Sequence, residues 1–534
     1  MWTEILTVLF LIVCFVTSDF QCPELEKSTL CACKEVVWWD NENKTVVDCS
    51  SASLNSVPNL GMVSSAEITK ILLNGNKLSR VNLDDFKNIF VRELDLSRNS
   101  LSQLEKEHIL HLRKVLTHLN LKSNRFEVDK GLKFIEGFSV LVELILDSNL
   151  IGYDSNDSAT LPDSIFKNLG LRSLRILSLR SCGINNIQSM AFEGLPSLEV
   201  LDLTYNYLEE IPSAILRLSN LKSLFVGGNS IFTIKNNSFV GMILEKLVLD
   251  YNEIYEIEAN AFSGLESNLK KLEFHGNYIP NIPSSALRRL KNLTFLKISK
   301  NNIQKIDKDA FVGMQSLQML ELDNNAIKFD NQSFVSLSDS LDTLLLRDTR
   351  LTYFPANELA PLRRLQTLDL SFNRIGPIMD ADVSKLNLRT LILTNNNISV
   401  ISPRTFKNLK QPIELDLDNN VISDVSFVMR AQPCSFSYVD LIGNPLTCDC
   451  DLEFVLNSGI MSGIGLTGHC ETIHGSQYEL GSSSLTRSLN RLCNQTERIH
   501  WCQRYQGPSN VSMTTHQIHF ILFILSFIIC VVFS

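Results

Sequence analysis

Leucine and isoleucine recur along most of the chain in a frame that repeats about every 24 residues. Apolar residues fill positions one, four, six and eleven of the frame, and asparagine usually fills position nine, as in Leu198–Leu208, Leu244–Ile254 and Leu365–Ile375. Sixteen copies keep spacings of 23 to 25 residues, except for 33 between Asn149 and Cys182. The residues at position nine are Asn76, Asn99, Asn124, Asn149, Cys182, Asn206, Asn229, Asn252, Asn277, Asn301, Asn325, Thr349, Asn373, Asn396, Asn420 and Asn444.

The alternation around positions four to six predicts one short strand per copy, with its leucines on one side. Identical copies in succession are expected to stack as a parallel sheet, with strands about 4.8 Å apart. The asparagine is expected to turn inward and bond backbone groups of its own and the next turn, because a buried amide needs partners. Cys182 and Thr349 hold this position with a weaker hydrogen-bonding group, so we interpret Cys182 as structural rather than redox-active.

Phenylalanine recurs ten residues after position nine, which predicts an apolar spine on the convex side of the coil. An aromatic ligand site is the alternative, but recurrence in so many turns favours a core role. The spine residues are Phe86, Phe134, Phe192, Phe239, Phe262, Phe311 and Phe406, with Leu287 and Leu359 as substitutes.

The frame L-x-x-L-x-L-x-x-N-x-L resembles the leucine-rich repeat. This resemblance implies an α/β-type solenoid, a horseshoe with a parallel β-sheet on its concave face. Such a coil exposes apolar core at both ends and therefore needs caps.

Cysteines cluster at the two ends of the repeat region, as expected for disulfide-bonded caps in an exported chain. Zinc sites would favour tighter paired spacing together with histidines. The front cluster is Cys22, Cys31, Cys33 and Cys49, and the back cluster is Cys434, Cys448, Cys450, Cys470, Cys493 and Cys502.

The clusters resemble the cysteine-rich caps of extracellular leucine-rich repeat proteins. That resemblance implies the pairs Cys22–Cys33, Cys31–Cys49, Cys448–Cys470 and Cys450–Cys493, and leaves Cys434 and Cys502 to pair with each other. In its organisation the chain is most similar to lipid-anchored arthropod adhesion proteins of the chaoptin and connectin type, which implies a role in cell contact. Toll-like receptors share the ectodomain style.

Both ends of the chain carry patterns typical of processing signals. An apolar run from Ile5 to Val16 precedes a small residue at Ser18, as in a secretory signal peptide, although Glu4 replaces the usual basic residues. Export agrees with sequons at Asn43, Asn156, Asn236, Asn292, Asn331, Asn397 and Asn494.

The C-terminal apolar stretch, 520–533, is shorter than the roughly 20 residues of a membrane-spanning helix. It follows a small, polar spacer, the pattern of a glycosylphosphatidylinositol attachment signal, with Asn510 as the expected attachment residue. A short transmembrane span or a secreted protein are the alternatives. We therefore predict five segments, namely signal peptide 1–18, N-terminal cap 19–60, repeats 61–446, C-terminal cap 447–505, and spacer with attachment signal 506–534.

One stretch of the predicted concave face is more apolar than the rest and is a candidate partner site. The alternative is that these residues only reflect strand propensity on a wetted sheet. The candidate residues are Ile145, Ile176, Val200, Phe225 and Val248, with Tyr205 and Tyr251 beside them and Asp147, Arg180 and Asp250 at the borders. The insert 152–164 is a second candidate, since insertions in repeat arrays often carry function, but a tolerated, sugar-shielded surface loop is the favoured interpretation.

The net charge and the absence of catalytic motifs reduce the number of function classes that the sequence supports. The net charge is −9 without a basic run, which disfavours nucleic-acid binding. No cofactor, metal or catalytic motif is recognisable, and the acidic residues Asp369, Asp416, Asp418 and Asp440 are expected on an open, wet face. We predict a non-enzymatic cell-surface module that recognises a protein ligand or a like molecule on another cell, and its partners include a second copy of the chain in a homodimer. A receptor ectodomain for a secreted ligand and a scaffold subunit of a secreted enzyme are the alternatives.

Overall fold

The computed structural model describes residues 31–37, 43–58, 68–83, 85–87, 89–127, 132–150, 160–330, 332–379, 383–407, 409–428, 435–457 and 465–493. The predicted signal peptide, most of the insert and the C-terminal stretch lie outside these residues, and the five segment boundaries stay predictions. The chain forms two compact units. The first comprises residues 1–375 with 385–388, and the second comprises 376–384 with 389–534.

The first unit is built on one sheet whose strands run parallel, apart from the antiparallel first strand. Register is maintained by the repeat frame, since Leu201 lies opposite Leu177 and Leu224. The strands of this sheet are Ala32–Val37, Asn43–Asp48, Ile68–Leu72, Val91–Asp95, His118–Asn120, Glu143–Ile145, Ile176–Ser178, Val200–Asp202, Ser223–Phe225, Lys246–Val248, Lys271–Glu273, Phe295–Lys297, Met319–Glu321, Thr343–Leu345 and Thr367–Asp369.

Short elements complete the turns of the first unit. Two-residue parallel pairs join Thr160–Leu161 with Asn186–Ile187, Thr233–Ile234 with Glu256–Ile257, and Lys305–Ile306 with Lys328–Phe329. The α-helical turns are Lys106–Ile109, Ser284–Leu287 and Ala356–Leu359, and the 3₁₀ turns are Leu110–Lys114, Lys133–Ile135, Ser213–Arg217 and Val335–Leu337.

The second unit repeats the same plan. Its parallel strands are Thr390–Ile392, Ile413–Asp416, Phe436–Asp440 and Gly465–Thr467. A small sheet joins Leu446–Thr447, His469–Glu471 and Gln477–Glu479, and the helices are Cys450–Asn457 and Ser483–Leu492, with a 3₁₀ turn at Ser426–Val428. A further 3₁₀ turn covers Val383–Lys385. The predicted leucine-rich repeat fold is therefore confirmed in each unit.

The core is made of the frame leucines and the phenylalanine spine. Leu198, Leu201 and Leu203 are fully buried, as the frame requires. All nine predicted spine residues are buried, and neighbouring rings stack, with 6.0 Å between the centroids of Phe239 and Phe262. Each turn thus buries its apolar side chains against adjacent turns rather than within itself.

The asparagine ladder lies inside the coil and ties neighbouring turns together. The Asn206 Nδ2 donates to the carbonyls of Leu179 and Leu203 at 2.8 and 2.9 Å. Its Oδ1 accepts from the N–H groups of Cys182 and Ile184, both at 3.0 Å. One amide therefore satisfies backbone groups of its own turn, as predicted, but of the preceding turn rather than of the next one.

Cys182 and Thr349 make fewer of these bonds. The Cys182 thiol donates to the Leu146 carbonyl at 3.3 Å, and its burial raises the pKa of this thiol to about 12. The Thr349 hydroxyl donates to the Leu346 carbonyl at 2.8 Å. The Ile327 N–H lacks an amide oxygen at this turn and bonds the Thr349 carbonyl at 3.2 Å instead.

The residue before each ladder position has a left-handed backbone in all sixteen turns. Residues as different as Arg98, Tyr205, Asp348 and Gly443 adopt this conformation, with φ between 49° and 72°. None of the sixteen is β-branched, in agreement with the steric cost of positive φ for branched side chains. The turn after the strand is therefore the same in every repeat, whichever side chain it carries.

Disulfides close the described ends of the repeat region. Cys31–Cys49 lies in the first unit, and Cys448–Cys470 and Cys450–Cys493 lie in the second. These are the partners that the resemblance to capped extracellular proteins implied. The side chains of the other predicted cap cysteines lie outside the described residues, namely Cys22, Cys33, Cys434 and Cys502.

Candidate functional site

The outward face of the first unit's sheet carries two rows of side chains. We define the leading row as the residues just before the first strand leucine, including Ile176 and Val200, which lie opposite each other. The middle row contains the residues between the two leucines, including Phe225 and Val248, also opposite each other. Ile145 belongs to the middle row, where its neighbour is Ser178.

The five apolar residues predicted as a partner site therefore form not one continuous stripe but two separate pairs and one single residue. Positions three and five of the frame are two residues apart on the strand, so Ile176 and Val200 contact the middle row only diagonally. Between Ile145 and Phe225 the middle row is polar, because Ser178 and Asp202 fill it.

Both interrupting residues, Ser178 and Asp202, are buried, and their side chains form hydrogen bonds within the protein. The Ser178 hydroxyl donates to Oδ1 of Asp147, which also accepts from the Arg180 N–H at 3.1 Å. Asp202 accepts from the Thr204 N–H at 2.9 Å and faces the Arg180 guanidinium at 3.5 Å. Burial raises the pKa of Asp202, against the opposing effects of the Thr204 hydrogen bonds and the Arg180 charge. The border residues Asp147 and Arg180 thus form a network with the sheet.

Tyr205 and Tyr251 project beside the sheet at the left-handed turn position. Their side chains are 54% and 50% exposed. Each ring lies on a glycine of the next turn. A Cβ at Gly228 would stand 2.4 Å from the Tyr205 ring, and one at Gly276 would stand 2.8 Å from the Tyr251 ring. Small residues at these two positions therefore allow the rings to lie flat along the turns.

Cations accompany the two tyrosines. The Arg180 guanidinium lies 5.5 Å from the centroid of the Tyr205 ring, and Lys300 Nζ lies 5.4 Å from that of Tyr251. The Tyr251 hydroxyl is also 3.0 Å from Nε2 of His275. Burial, reinforced by two nearby lysines, lowers the pKa of His275 to about 4, so this imidazole is neutral at physiological pH.

Phe225 and Val248 are half-buried between charged neighbours. Lys246 Nζ lies 4.9 Å from the centroid of the Phe225 ring and 3.5 Å from Oε1 of Glu273. Val248 lies opposite Glu273 in the middle row. The predicted residues therefore lie on one side of the sheet, with the apolar pairs separated by ion pairs.

A carboxylate cluster continues along the sheet beyond Val248. Burial is the main reason why the pKa values of Asp250 and Asp323 rise to about 6 and that of Glu321 to about 7. Lys297 lies among them, 3.8 Å from Asp250. Asp250 and Asp323 accept backbone N–H groups of the next turn, both at 2.8 Å, so they stabilise the stack.

The described residues contain no group of three or more histidine, cysteine, aspartate or glutamate side chains suited to a metal ion. In the same residues no helix is both long and apolar enough to cross a bilayer. Of the predicted sequon asparagines, Asn236, Asn292 and Asn397 are exposed. The others have side chains outside the described part, namely Asn43, Asn156, Asn331 and Asn494, as does the predicted lipid-attachment residue Asn510.

Sequence reasoning missed four exposed aromatic side chains that follow the ladder asparagines, namely Tyr207, Phe232, Tyr255 and Tyr278. They occupy the first or third residue after the asparagine, while the second residue is buried. The short alternation Tyr207, Leu208, Glu209 was the available signal, because it places every other residue outward.

Comparisons with known proteins agree with this architecture. A sequence profile of the family described as "Leucine rich repeat" matches residues 172–231, 267–327 and 387–446, and a second profile of the same description matches 363–378. These profiles indicate no catalytic family.

Several curated proteins are similar in sequence. Mouse Podocan is 30% identical over 366 residues, which cover 66% of this chain and 56% of Podocan. Bovine Toll-like receptor 3 is 27% identical, covering 43% of this chain and 30% of the receptor. Mouse CD180 antigen is 24% identical over a region that covers 76% of this chain and 68% of CD180 antigen. The chain thus spans about half of Podocan and less than a third of Toll-like receptor 3.

Solved structures share the fold. The TLR13–ssRNA13 complex gives a TM-score of 0.62 at 24% identity, covering 77% of this chain and 59% of that one. The mouse RP105/MD-1 complex gives a TM-score of 0.59 at 22% identity, and the match covers 76% of this chain and 76% of that one.

Proposed function

We propose that this leucine-rich repeat protein with disulfide-bonded termini is an extracellular recognition module. It binds a protein partner through the outward sheet face of the first unit, and its setting is cell adhesion. Support comes from relatives that are named as a receptor and as an antigen, Toll-like receptor 3 and CD180 antigen. The region from Ile145 to Tyr251 is the proposed contact surface.

The observation that carries the proposal is the pair of exposed tyrosines, Tyr205 and Tyr251. Each ring lies on a glycine and near a cation, so it loses little freedom on binding. Tyrosine and arginine are enriched among the residues that dominate the energy of protein interfaces. The paired residues Phe225 and Val248 add apolar area between the tyrosines.

Charge favours a protein over a nucleic acid as the partner. The same face carries the carboxyl groups of Asp202, Glu273 and Glu321, and the chain has a net charge of −9. A phosphate backbone would be repelled, because nucleic-acid binding depends on a concentrated positive surface. The similarity to TLR13 in its complex with ssRNA is at 24% identity and carries the fold alone.

Attachment to the outer face of the plasma membrane completes the proposal, with a lipid on Asn510. Its basis is the spacer and apolar stretch at residues 506–534. Treatment of expressing cells with a phosphatidylinositol-specific phospholipase should release the protein into the medium. Retention on the cells after verified phospholipase activity would exclude the lipid anchor and leave a transmembrane span.

Cell aggregation tests the adhesive role. Suspended cells that express the full chain should clump, and the double substitution Tyr205→Ser/Tyr251→Ser should reduce clumping at equal surface level. The matched control is Tyr353→Ser/Phe372→Ser, which removes two aromatic side chains of similar exposure elsewhere in the first unit. Equal loss in both variants would refute this surface.

The receptor alternative has its own outcome. Cells that do not clump but bind a secreted protein, with binding lost in Phe225→Glu/Val248→Glu, would place the same surface in a receptor. Two lost hot-spot side chains correspond to an affinity loss on the order of a hundredfold or more. Unchanged binding in both this variant and the tyrosine variant would reject the sheet face as the contact surface.

A further inference from the structure

A second surface lies next to the sheet, on the segments that follow the ladder asparagines in the sixth to ninth turns. We call it the aromatic edge. Its seven residues are exposed, and all except Glu256 lie one or three places after a ladder asparagine. They are Tyr207, Glu209, Phe232, Glu253, Tyr255, Glu256 and Tyr278, with Glu256 directly after Tyr255.

The aromatic edge is solvent-exposed and well ordered by its backbone. Its four aromatic side chains are between 43% and 60% exposed. The N–H groups of Tyr207 and Tyr278 donate to Ile184 and Ile254 of the preceding turns, at 2.7 and 2.9 Å. The rings of Phe232 and Tyr255 stack nearly parallel, with 6.4 Å between their centroids. The stacked rings of Phe232 and Tyr255 form an apolar platform at the centre of this edge.

The platform is bordered by negative charge. Lys235, which lies three residues after Phe232, is paired with Glu210. Glu258 accepts the Asn236 N–H at 2.7 Å. Among the described residues no cation lies within ion-pair distance of Glu209, Glu253 or Glu256, which are exposed. The edge therefore combines aromatic faces with three carboxylates that have no ionic partner within the described part of the chain.

We infer that the aromatic edge binds a lysine- and arginine-rich segment of a protein partner. Aromatic faces attract ammonium and guanidinium groups, and neighbouring carboxylates bind the same groups by charge. The adjacent tyrosines already show this geometry, because Arg180 and Lys300 lie over Tyr205 and Tyr251. In the described part of the chain no such cation covers the four rings of the edge. The inference rests on the proposed role in protein recognition and specifies the partner's chemistry.

Two predicted sugar sites on described residues, Asn236 and Asn292, are not edge residues. Asn236 lies seven residues after the ladder residue Asn229, beyond the edge positions, and it faces Asn260 of the next turn. Asn292 precedes its strand, and its Nδ2 donates to Ser267 at 2.7 Å, so it lies at the opposite end of the strands.

Peptide binding to the purified full chain tests the inference at physiological salt. The probe is a fluorescent decapeptide of alternating glycine and arginine, with an alternating glycine–glutamate peptide as the negative control. Binding is measured by fluorescence anisotropy. The variant Glu209→Gln/Glu253→Gln/Glu256→Gln should lower the affinity for the arginine peptide about fivefold or more, since three exposed ion pairs are lost.

A charge-matched control separates local recognition from net charge. Glu107→Gln/Asp309→Asn/Asp339→Asn removes three exposed carboxylates outside the edge, and should leave the affinity within about twofold of the parent. Equal losses in the two triple variants would show that only overall charge attracts the peptide, and would overturn the inference.

The aromatic contribution has a separate test. Phe232→Ser/Tyr255→Ser keeps every charge and should lower the affinity about fivefold, through two lost cation–π contacts. Unchanged affinity, with a melting temperature equal to that of the parent, would also overturn the inference. Because Tyr205 and Tyr251 are intact in these variants, cell aggregation reports separately on the proposed function of the sheet face.

Discussion

Replacing a ladder asparagine tests whether these side chains hold the turns together. We choose Asn206→Ala, because the Asn206 amide oxygen accepts two N–H groups, those of Cys182 and Ile184, from the preceding turn. Alanine leaves both buried donors without a partner. It also removes the donor from the carbonyls of Leu179 and Leu203.

The expected loss follows from the two orphaned donors. A buried N–H group without a partner costs about 1–3 kcal/mol, so the pair costs about 4 kcal/mol. Local opening that exposes the Ile184 N–H should become easier by this amount. Since 1.4 kcal/mol is a factor of ten, exchange of this amide should accelerate on the order of a thousandfold.

Hydrogen exchange read by mass spectrometry measures this effect at the peptide that contains Ile184. Urea denaturation of the same variant reports the loss for the first unit as a whole. The matched control is Asn302→Ala, since Asn302 is an exposed asparagine next to a ladder residue. Surface substitutions of this kind change stability by less than about 0.5 kcal/mol. Unchanged protection at Ile184, or equal effects of the two variants, would refute the structural role of the ladder.

Three further outcomes are expected. Gly228→Ala should lower the unfolding free energy by about 2 kcal/mol more than Gly241→Ala. Both glycines have positive φ, but only a Cβ at Gly228 meets a tyrosine ring. Equal losses of unfolding free energy in urea denaturation would contradict this prediction. Burial raises the pKa of Glu321 to about 7 from 4.5, so its contribution to stability is present below pH 4.5 and is lost as the pH rises through 7. Glu321→Gln should therefore raise the melting temperature at pH 8 more than at pH 5, and equal shifts at both pH values would argue against a costly buried carboxylate. Cys450→Ala/Cys493→Ala should lower the unfolding free energy by about 4 kcal/mol, since this disulfide closes a loop with a sequence separation of 43. An unchanged melting temperature would show that the stability of the cap does not depend on this disulfide.

The repeat frame made the interior predictable from sequence. The burial of Leu201 and the inward amide of Asn206 follow from strand alternation and from the need to pair a buried amide. Both constraints are local and occur in every turn, so one copy predicts the others. The disulfide partners instead required the resemblance to capped proteins, because spacing alone left the pairing open.

The binding surface was less predictable, because outward side chains choose their partners individually. Ser178 turns to Asp147 across the turn that carries the long insert, and this contact divides the apolar stripe. Tyr205 lies flat because the next turn has a glycine at the same position. Such pairings depend on two turns at once and are not visible in a single repeat. The aromatic edge was missed because the frame marks the positions beside its last apolar residue as outward but does not specify which residue types fill them.

The left-handed position before each ladder residue separates backbone geometry from side-chain identity. Serine, tyrosine, lysine, aspartate and glycine all occur there without altering the turn. Evolution can therefore exchange the displayed group in one repeat while the neighbouring repeats keep their shape. A combinatorial library that varies the twelve of these sites not occupied by glycine, omitting valine, isoleucine and threonine, would sample new specificities on an unchanged scaffold.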